Sequence, residues 1–217
     1  MRVKICGITE IKQGQEIAVL GANSIGFICV ERSPRYITPD KIKAIAQSLP
    51  AQTDKVGVFA DYSVAEIARV IEEANLTSVQ LHGKESPDFC DRLRQAIAPD
   101  LEIIKAFRIK TAESLKETAK YTNCVDTLLL DAYHPQMLGG TGETIDWQDL
   151  KDFKPSLPWM LAGGLTPDNV SQALSRLQPD GIDLSSGVER SPGDKDLSKV
   201  TQLFEAIATC GEPNRLC

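Results

Sequence analysis

Short apolar runs alternate in this chain with segments in which apolar residues recur every three or four positions. The runs have the length of buried strands, and the segments between them have the period of amphipathic helices. Strands that are apolar on both faces and separated by helices form parallel sheets. Eight such runs are present: RVKIC (2–6), SIGFIC (24–29), KVGVF (55–59), SVQLH (78–82), LEIIKAF (101–107), DTLLLD (126–131), PWMLA (158–162) and GIDL (181–184). The pattern predicts eight strands, each followed by a helical stretch.

Three predicted helix starts share one signature, in which a hydroxyl residue is followed by proline and aspartate. The hydroxyl can cap the helix, proline is preset for the first helical position, and the acid complements the helix dipole. One βα unit averages about 27 residues, an eighth of the 217-residue chain. On that spacing the signatures open the second, fourth and seventh helices: Thr38-Pro39-Asp40, Ser86-Pro87-Asp88 and Thr166-Pro167-Asp168.

Eight βα units in a chain of this length predict a compact (β/α)8 barrel, the TIM-barrel fold, with residues 1–217 as a single catalytic domain. The alternative is a doubly wound open sheet. The nucleotide-binding motifs of such sheets, GxGxxG and GxxxxGK[ST], follow none of the eight runs. The barrel is therefore the preferred fold.

Charge and cysteine usage argue against several classes of partner. The formal net charge is −6 and no cluster of lysine and arginine stands out, so neither nucleic acid nor an anionic membrane is an expected partner. No apolar run approaches the ~20 residues of a membrane span, and the first strand follows Met1 too closely for a targeting segment. The six cysteines form no CxxC pair and indicate reduced thiols in a cytoplasmic enzyme.

The active site of a (β/α)8 barrel lies at the carboxyl ends of its strands, so those ends supply the candidate residues. They are Cys6, Cys29, Phe59, His82, the stretch 105–107, Asp131, Gly163-Gly164 and Asp183.

Glycine and serine residues after the last three strands predict a phosphate site. In such barrels the loops after strands seven and eight usually bind phosphate. Small residues let the backbone approach an anion, which N–H groups and a helix dipole then hold. The residues are Gly163 and Gly164 after strand seven, Ser185, Ser186 and Gly187 after strand eight, and Gly140 and Gly142 in the GGTG stretch after strand six. The alternative is that the glycines only make tight turns; two stretches at the right strand ends favour phosphate.

Cys6 is the candidate general base. Lys4 lies two residues earlier on the same strand, so both side chains point to one face, and we expect Lys4 to contact the substrate as well. A free thiol titrates near ~8.5, and a neighbouring ammonium and helix N-terminus would lower its pKa. Most cysteines are buried and inert, as we expect of Cys29. The flanking Lys4 and Gly7 favour a catalytic role for Cys6.

Asp131 is the candidate general acid. It follows TLLL, and Leu129 on the same face disfavours the charged carboxylate; the alternative is a loop cap. Of the two histidines, His82 ends a strand and is a candidate substrate contact, whereas His134 is expected to be a solvated loop residue. Without a cluster of acidic ligands, no catalytic metal is expected.

Six segments, taken together and in order, resemble one family. KICGIT, SPRYIT, VQLHG, LLLDAYHPQMLGGTG, AGGLTPDNV and DLSSGVERSPGDKD resemble the phosphoribosylanthranilate isomerases of tryptophan biosynthesis. The resemblance runs from Lys4 to Asp196 without departure at a motif position, and only the tail CGEPNRLC lies outside it.

The resemblance implies an Amadori rearrangement of N-(5-phosphoribosyl)anthranilate to 1-(2-carboxyphenylamino)-1-deoxyribulose 5-phosphate. Asp131 would protonate the furanose oxygen and Cys6 would remove the C2′ proton. Arg35 would pair with the anthranilate carboxylate, which suits the bidentate geometry of a guanidinium, and Asp183 would bond the sugar hydroxyls. No cofactor is implied, the partner is a phosphorylated small molecule, and a monomer is favoured over a dimer.

Two alternatives remain open. Another phosphosugar barrel enzyme, such as an epimerase, aldolase or decarboxylase, usually calls for metal ligands, a Schiff-base lysine or a Lys/Asp array, whereas these strand ends offer Cys and Asp. A non-catalytic barrel that binds a phosphometabolite would be marked by the loss of Cys6 or Asp131, and both are present.

Overall fold

Eight parallel strands close into a barrel in chain order, with β1 pairing with both β2 and β8. The computed structural model describes residues 1–109, 112–132 and 147–210. The strands are β1 (Arg2–Cys6), β2 (Ser24–Ile28), β3 (Asp54–Phe59), β4 (Ser78–Leu81), β5 (Glu102–Ile109), β6 (Thr127–Ala132), β7 (Trp159–Ala162) and β8 (Gly181–Leu184). The predicted barrel and the eight predicted strands are confirmed.

Seven α-helices are present among the described residues. They are α1 (Ile11–Leu20), α2 (Pro39–Ser48), α3 (Val64–Ala74), α4 (Pro87–Ala96), α5 (Ala112–Lys116), α6 (Val170–Arg176) and α7 (Leu197–Cys210). Short 3-10 turns at Glu117–Tyr121 and Trp147–Leu150 follow α5 and β6. Between β8 and α7 lie a 3-10 turn, Ser186–Val188, and a small antiparallel hairpin of β9 (Glu189–Ser191) and β10 (Asp194–Lys195).

One of the three predicted helix starts is misplaced. Helices α2 and α4 begin at their predicted prolines, but α6 begins at Val170 rather than at Pro167. Oδ1 of Asn169 accepts a hydrogen bond from the Thr166 N–H at 2.8 Å, and Nδ2 of Asn169 donates to the Gly164 carbonyl at 2.9 Å. The Thr-Pro-Asp signature after β7 is therefore part of a hydrogen-bonded turn that supports the glycine loop, and the helix begins one turn later.

The barrel has two apolar cores. The larger one lies between the strands and the surrounding helices and includes fully buried Ile25, Ile103 and Ile182. Strand side chains alternate between the two faces, so a second, smaller set fills the barrel interior. That inner set is Val56, Ile104, Ala106, Leu129, Met160 and Ala162.

Charged residues close the amino-terminal end of the barrel. The guanidinium of Arg2 donates to both carboxylate oxygens of Glu102, at 2.6 and 2.8 Å, and lies 3.0 Å from Oδ2 of Asp54. Glu102 also accepts the hydroxyl hydrogen of Thr127 at 2.7 Å. Burial acts to raise the pKa of Glu102, but its bonds to Arg2 outweigh burial and hold that pKa below the usual value. The network ties four strands together at the end opposite the strand carboxyl ends.

Glu102→Ala is expected to lower the free energy of unfolding by about 3 kcal/mol, because it leaves a largely buried guanidinium without its bidentate acceptor. Urea unfolding measures the change. The pKa of Glu102 is depressed in the folded state, so its contribution is present above the unfolded value of 4.5 and is lost as pH falls. The difference from wild type should therefore shrink in acid.

Glu117→Ala is the matched control, since it removes an exposed carboxylate paired with Lys120 at 2.6 Å. Its effect should stay within about 0.5 kcal/mol. Equal losses in the two variants would contradict the structural role of the Arg2 network.

Candidate active site

The carboxyl ends of the strands bring most of the predicted site residues to one rim of the barrel. Cys6 ends β1, His82 directly follows β4, Asp131 lies near the end of β6, and Asp183 is on β8. Parallel strands in a closed barrel direct all their carboxyl ends to the same side, where the active sites of this fold lie.

Lys4 links the candidate base to Asp183. Its Nζ donates to Oδ1 of Asp183 at 2.9 Å, and its positive charge acts on the neighbouring thiol of Cys6. Lys4 is fully buried, and Cys6 is 5% exposed. The neighbouring strand makes room for the thiol at Gly26, where a Cβ would lie only 2.6 Å from Sγ of Cys6.

The pKa of Cys6 is raised, which corrects the expectation from sequence. Burial raises it, Lys4 and Lys195 lower it, and burial prevails. The charge of Lys4 is visible in the sequence, whereas the desolvation of the thiol arises only when the barrel closes. A thiol of this kind is a stronger base once ionised, and the two ammonium groups limit how far ionisation is suppressed.

Asp131 faces a histidine at the rim. Nε2 of His82 lies 3.3 Å from Oδ2 of Asp131, and the Asp131 side chain is 28% exposed, so a substrate can reach it. Nδ1 of His82 lies 3.0 Å from Nε2 of Gln80, a buried residue on β4. Asp131 therefore has a polar neighbour as well as the apolar wall that the sequence suggested.

A buried ion pair holds the loop that carries His82. Oε2 of Glu85 accepts hydrogen bonds from Nζ of Lys105 at 2.8 Å and from the Gly83 N–H at 3.0 Å. Oε1 of Glu85 accepts the N–H of Asp61, in the loop after β3, at 2.9 Å. Lys105, a strand-end candidate from the sequence, is thereby part of a clamp between two loops.

Arg35 forms a bidentate ion pair with Glu189. Its Nε donates to both carboxylate oxygens at 2.9 and 3.1 Å, and its Nη2 donates to Oε2 at 2.6 Å. Glu189 also accepts from Nζ of Lys195 at 2.7 Å. A Cβ at Gly7 would lie 2.8 Å from Cδ of Arg35, so the arginine packs against the loop that follows Cys6. In the described part of the chain Nη1 has no hydrogen-bond acceptor.

The loops after β7 and β8 touch each other. A Cβ at Gly187 would lie 1.9 Å from the carbonyl oxygen of Leu165, so only glycine permits this contact. Gly163 and Gly164 have φ angles of +87° and +66°, a conformation that favours glycine. Gly164 and Ser186 are exposed, and no backbone carbonyl of the described residues accepts from their N–H groups.

Some predicted residues lie elsewhere. Gly140, Gly142 and His134 fall outside the described residues. Cys29 and Phe59 are buried in the outer core, and burial raises the pKa of Cys29 to about 12, as befits an inert thiol.

The described residues contain neither a metal-binding cluster nor a membrane-spanning helix. Residues 1–109, 112–132 and 147–210 hold no group of three or more His, Cys, Asp or Glu side chains arranged to bind a metal ion. In the same ranges, no helix has both the length and the apolar character needed to cross a membrane.

Comparison with known proteins gives the family. The model of the N-(5'phosphoribosyl)anthranilate (PRA) isomerase family matches residues 3–206. The chain belongs to this family. It is 62% identical over 207 residues to the N-(5'-phosphoribosyl)anthranilate isomerase of Crocosphaera subtropica, a match that covers 95% of this chain and 98% of that protein.

Solved isomerases of the same family share the barrel. The phosphoribosyl anthranilate isomerase of Thermotoga maritima superposes with a TM-score of 0.88 at 32% identity, covering 96% of this chain and 99% of that one. A phosphoribosyl anthranilate isomerase in complex with reduced 1-(o-carboxyphenylamino)-1-deoxyribulose 5-phosphate gives a TM-score of 0.82 at 30% identity, with coverages of 96% and 99%.

Three residues of this isomerase that the sequence analysis did not single out contact the predicted site residues. Gln80 lies within VQLHG, and strand alternation would have placed it on the same face as His82. Glu189 and Lys195 lie in DLSSGVERSPGDKD, but only the β9–β10 hairpin brings them back to the rim. No spacing pattern in the sequence predicts that the hairpin brings these two residues back to the rim.

Lys4→Met is expected to move the pH dependence of kcat. Because the basic form of Cys6 is the thiolate and its pKa is raised above the ordinary thiol value, wild-type kcat should rise with pH from about pH 7 to beyond pH 9. Removing the ammonium raises the pKa further, so the rising limb should shift to higher pH by about one unit. Steady-state kcat measured across this range tests the shift.

Lys55→Met is the control, since Lys55 is also buried but its Nζ donates to the Ala51 carbonyl at 3.2 Å. Its pH limb should match that of wild type. A limb that stays in place in Lys4→Met, or moves equally in both variants, would rule out the electrostatic role of Lys4.

Proposed function

We propose that Cys6 and Asp131 are the general base and the general acid of this isomerase. The family's reaction is the Amadori rearrangement of N-(5'-phosphoribosyl)anthranilate to 1-(2-carboxyphenylamino)-1-deoxyribulose 5-phosphate, an aldose–ketose isomerisation in tryptophan biosynthesis. The observation that carries the assignment is the pair of proton-transferring groups at one rim: a buried thiol whose ionised form an adjacent ammonium favours, and a partly exposed carboxyl group.

Asp131 acts first. Its carboxyl group donates a proton to the furanose ring oxygen, the bond from C1′ to that oxygen breaks, and C1′ and the anthranilate nitrogen form a protonated Schiff base. The exposure of Asp131 at the rim supports this role, because the ring oxygen must come within hydrogen-bonding distance of the acid.

Cys6 acts second. Its thiolate removes the C2′ proton, and the electron pair of that C–H bond forms the C1′–C2′ double bond while the Schiff-base nitrogen becomes neutral. The resulting enolamine loses its C2′ hydroxyl proton and gains a proton at C1′, which gives the ketone. Lys4 supports this step because its ammonium stabilises the thiolate form of Cys6 relative to the neutral thiol.

The remaining site residues bind the phosphate, the anthranilate carboxylate and the sugar hydroxyls of the substrate. Arg35 directs its unpartnered Nη1 to the anthranilate carboxylate, with Nε and Nη2 committed to Glu189. Asp183 accepts from a sugar hydroxyl while it pairs with Lys4. Backbone N–H groups of Gly163, Gly164 and 185–187 hold the phosphate, which the contact between their two loops supports.

Further predictions from the sequence extend this proposal. Gly140 and Gly142, which lie outside the described residues, are predicted to bind the same phosphate. The enzyme is cytoplasmic, needs neither metal nor organic cofactor, and works as a monomer.

Cys6→Ala and Asp131→Asn should each lower kcat by about 10²–10⁴-fold, the usual effect of one acid or base, with little change in KM. Loss of the fluorescence of the anthranilate substrate, followed with a chelator present, measures turnover. Cys29→Ala is the matched control, since it removes a buried thiol whose Sγ lies 3.8 Å from the Phe27 carbonyl. A Cys6 or Asp131 variant that keeps more than about a tenth of wild-type kcat would refute its assigned role.

Gly164→Asn should raise KM and weaken competitive inhibition by inorganic phosphate. Asparagine tolerates the positive φ of +66°, so the variant keeps the turn but its side chain obstructs the approach of phosphate to the backbone. Arg35→Ala is the comparison: it should also raise KM, but at the anthranilate end, and leave phosphate inhibition unchanged. An unchanged phosphate inhibition constant in Gly164→Asn would disprove the site.

A further inference from the structure

Gln80 contacts the ring of His82. Gln80 is 1% exposed, and Val58 and Ile104 are its partners on the neighbouring strands. Its Nε2 lies 3.0 Å from Nδ1 of His82. An amide nitrogen only donates, so Nδ1 is the acceptor and a neutral His82 carries its proton on Nε2.

The other ring nitrogen faces the candidate acid. Nε2 of His82 lies 3.3 Å from Oδ2 of Asp131. Both ring nitrogens of His82 are therefore directed at protein atoms, one at Gln80 and one at Asp131. The geometry makes His82 a neighbour of the acid.

Packing does not account for an amide at position 80. Oε1 of Gln80 is buried without a hydrogen-bond partner, and the only other such side-chain atom in the described residues is Nε of Arg2. An unsatisfied buried carbonyl destabilises the folded protein, a cost that an apolar side chain of similar shape would avoid. The amide makes a hydrogen bond to His82, which an apolar side chain could not make.

We propose that Gln80 is a positioning residue: by holding His82 in the Nε2–H tautomer, it supplies a hydrogen-bond donor to the carboxylate that Asp131 becomes. The inference rests on the proposed role of Asp131. The Asp131 proton passes to the furanose oxygen as the bond from C1′ to that oxygen breaks, and His82 keeps its own proton. The Nε2–H then bonds the new carboxylate, and the 3.3 Å separation shortens as the negative charge forms.

The tautomer is measured directly by 15N NMR of protein labelled at its histidines. The chain has two histidines, and His134→Gln leaves His82 as the only imidazole signal. Wild type should show a protonated Nε2 and an unprotonated Nδ1. In Gln80→Glu the carboxylate accepts in place of the donor, so Nδ1 should become protonated. A wild-type proton on Nδ1, or an unchanged spectrum in Gln80→Glu, would overturn the proposal.

Steady-state kinetics test whether the tautomer of His82 affects catalysis by Asp131. Gln80→Met removes the donor with little change of shape and should lower kcat about tenfold, the worth of one hydrogen bond, with KM nearly constant. In a His82→Ala background the same substitution should have no further effect on kcat. Equal losses in both backgrounds would mean a merely structural role. If Gln80→Met does not fold, the near-isosteric Gln80→Glu serves in the same cycle.

Separate experiments test the acid role of Asp131 and the positioning role of Gln80. If Asp131→Asn keeps its activity, the proposed acid is wrong, although the NMR result still decides the tautomer. If Asp131→Asn is inactive but the Gln80 and His82 substitutions are additive, the acid stands and the positioning role of Gln80 is refuted.

Discussion

The ion pair between Lys4 and Asp183 spans the seam where the first strand of the barrel meets the last. The two residues are register partners in the β1–β8 pairing, and Lys4 is completely buried there. An ammonium buried without a partner would be costly, so the pairing of these strands and the pairing of these charges support each other. The charge of the same ammonium favours the thiolate of Cys6, so the electrostatics of the candidate base depend on the closure of the barrel.

The side of the rim around Cys6 carries an excess of cations, in a chain whose net charge is −6. The cations Lys4, Arg35 and Lys195 pair with only two anions, Asp183 and Glu189. An excess of one positive charge beside the thiol suits a substrate with a phosphate at one end and a carboxylate at the other. Because each cation has a bonded partner, the excess charge is held in fixed positions.

The features that the sequence predicted are those set by local pattern. Strand length, helix period and repeat count determine the barrel, and a barrel determines which residues reach the rim, so Cys6, His82, Asp131 and Asp183 were all identified. The start of α6 was missed because the Asn169 side chain is used in the preceding loop, a competition that propensity does not reveal.

The features that the sequence did not predict depend on contacts between distant parts of the chain. Arg35 and Glu189 are 154 positions apart, and nothing in either segment announces their bond. The predicted direction of the Cys6 pKa shift was wrong for a related reason. The favourable charge, Lys4, is two residues away in sequence, whereas the burial that outweighs it exists only after eight strands have closed.

The hydrogen bonds of Glu85 determine the stage at which the loops after β3 and β4 become ordered. Its carboxylate takes donors from Lys105 and from the backbone of two successive loops, so the loops after β3 and β4 are fixed by bonds within the protein. The conformational entropy of those loops is therefore lost when the chain folds, and substrate binding at this side of the rim does not bear that cost. A substrate of different shape would meet a rigid wall here, so discrimination on this side rests on steric fit and not on loop adjustment.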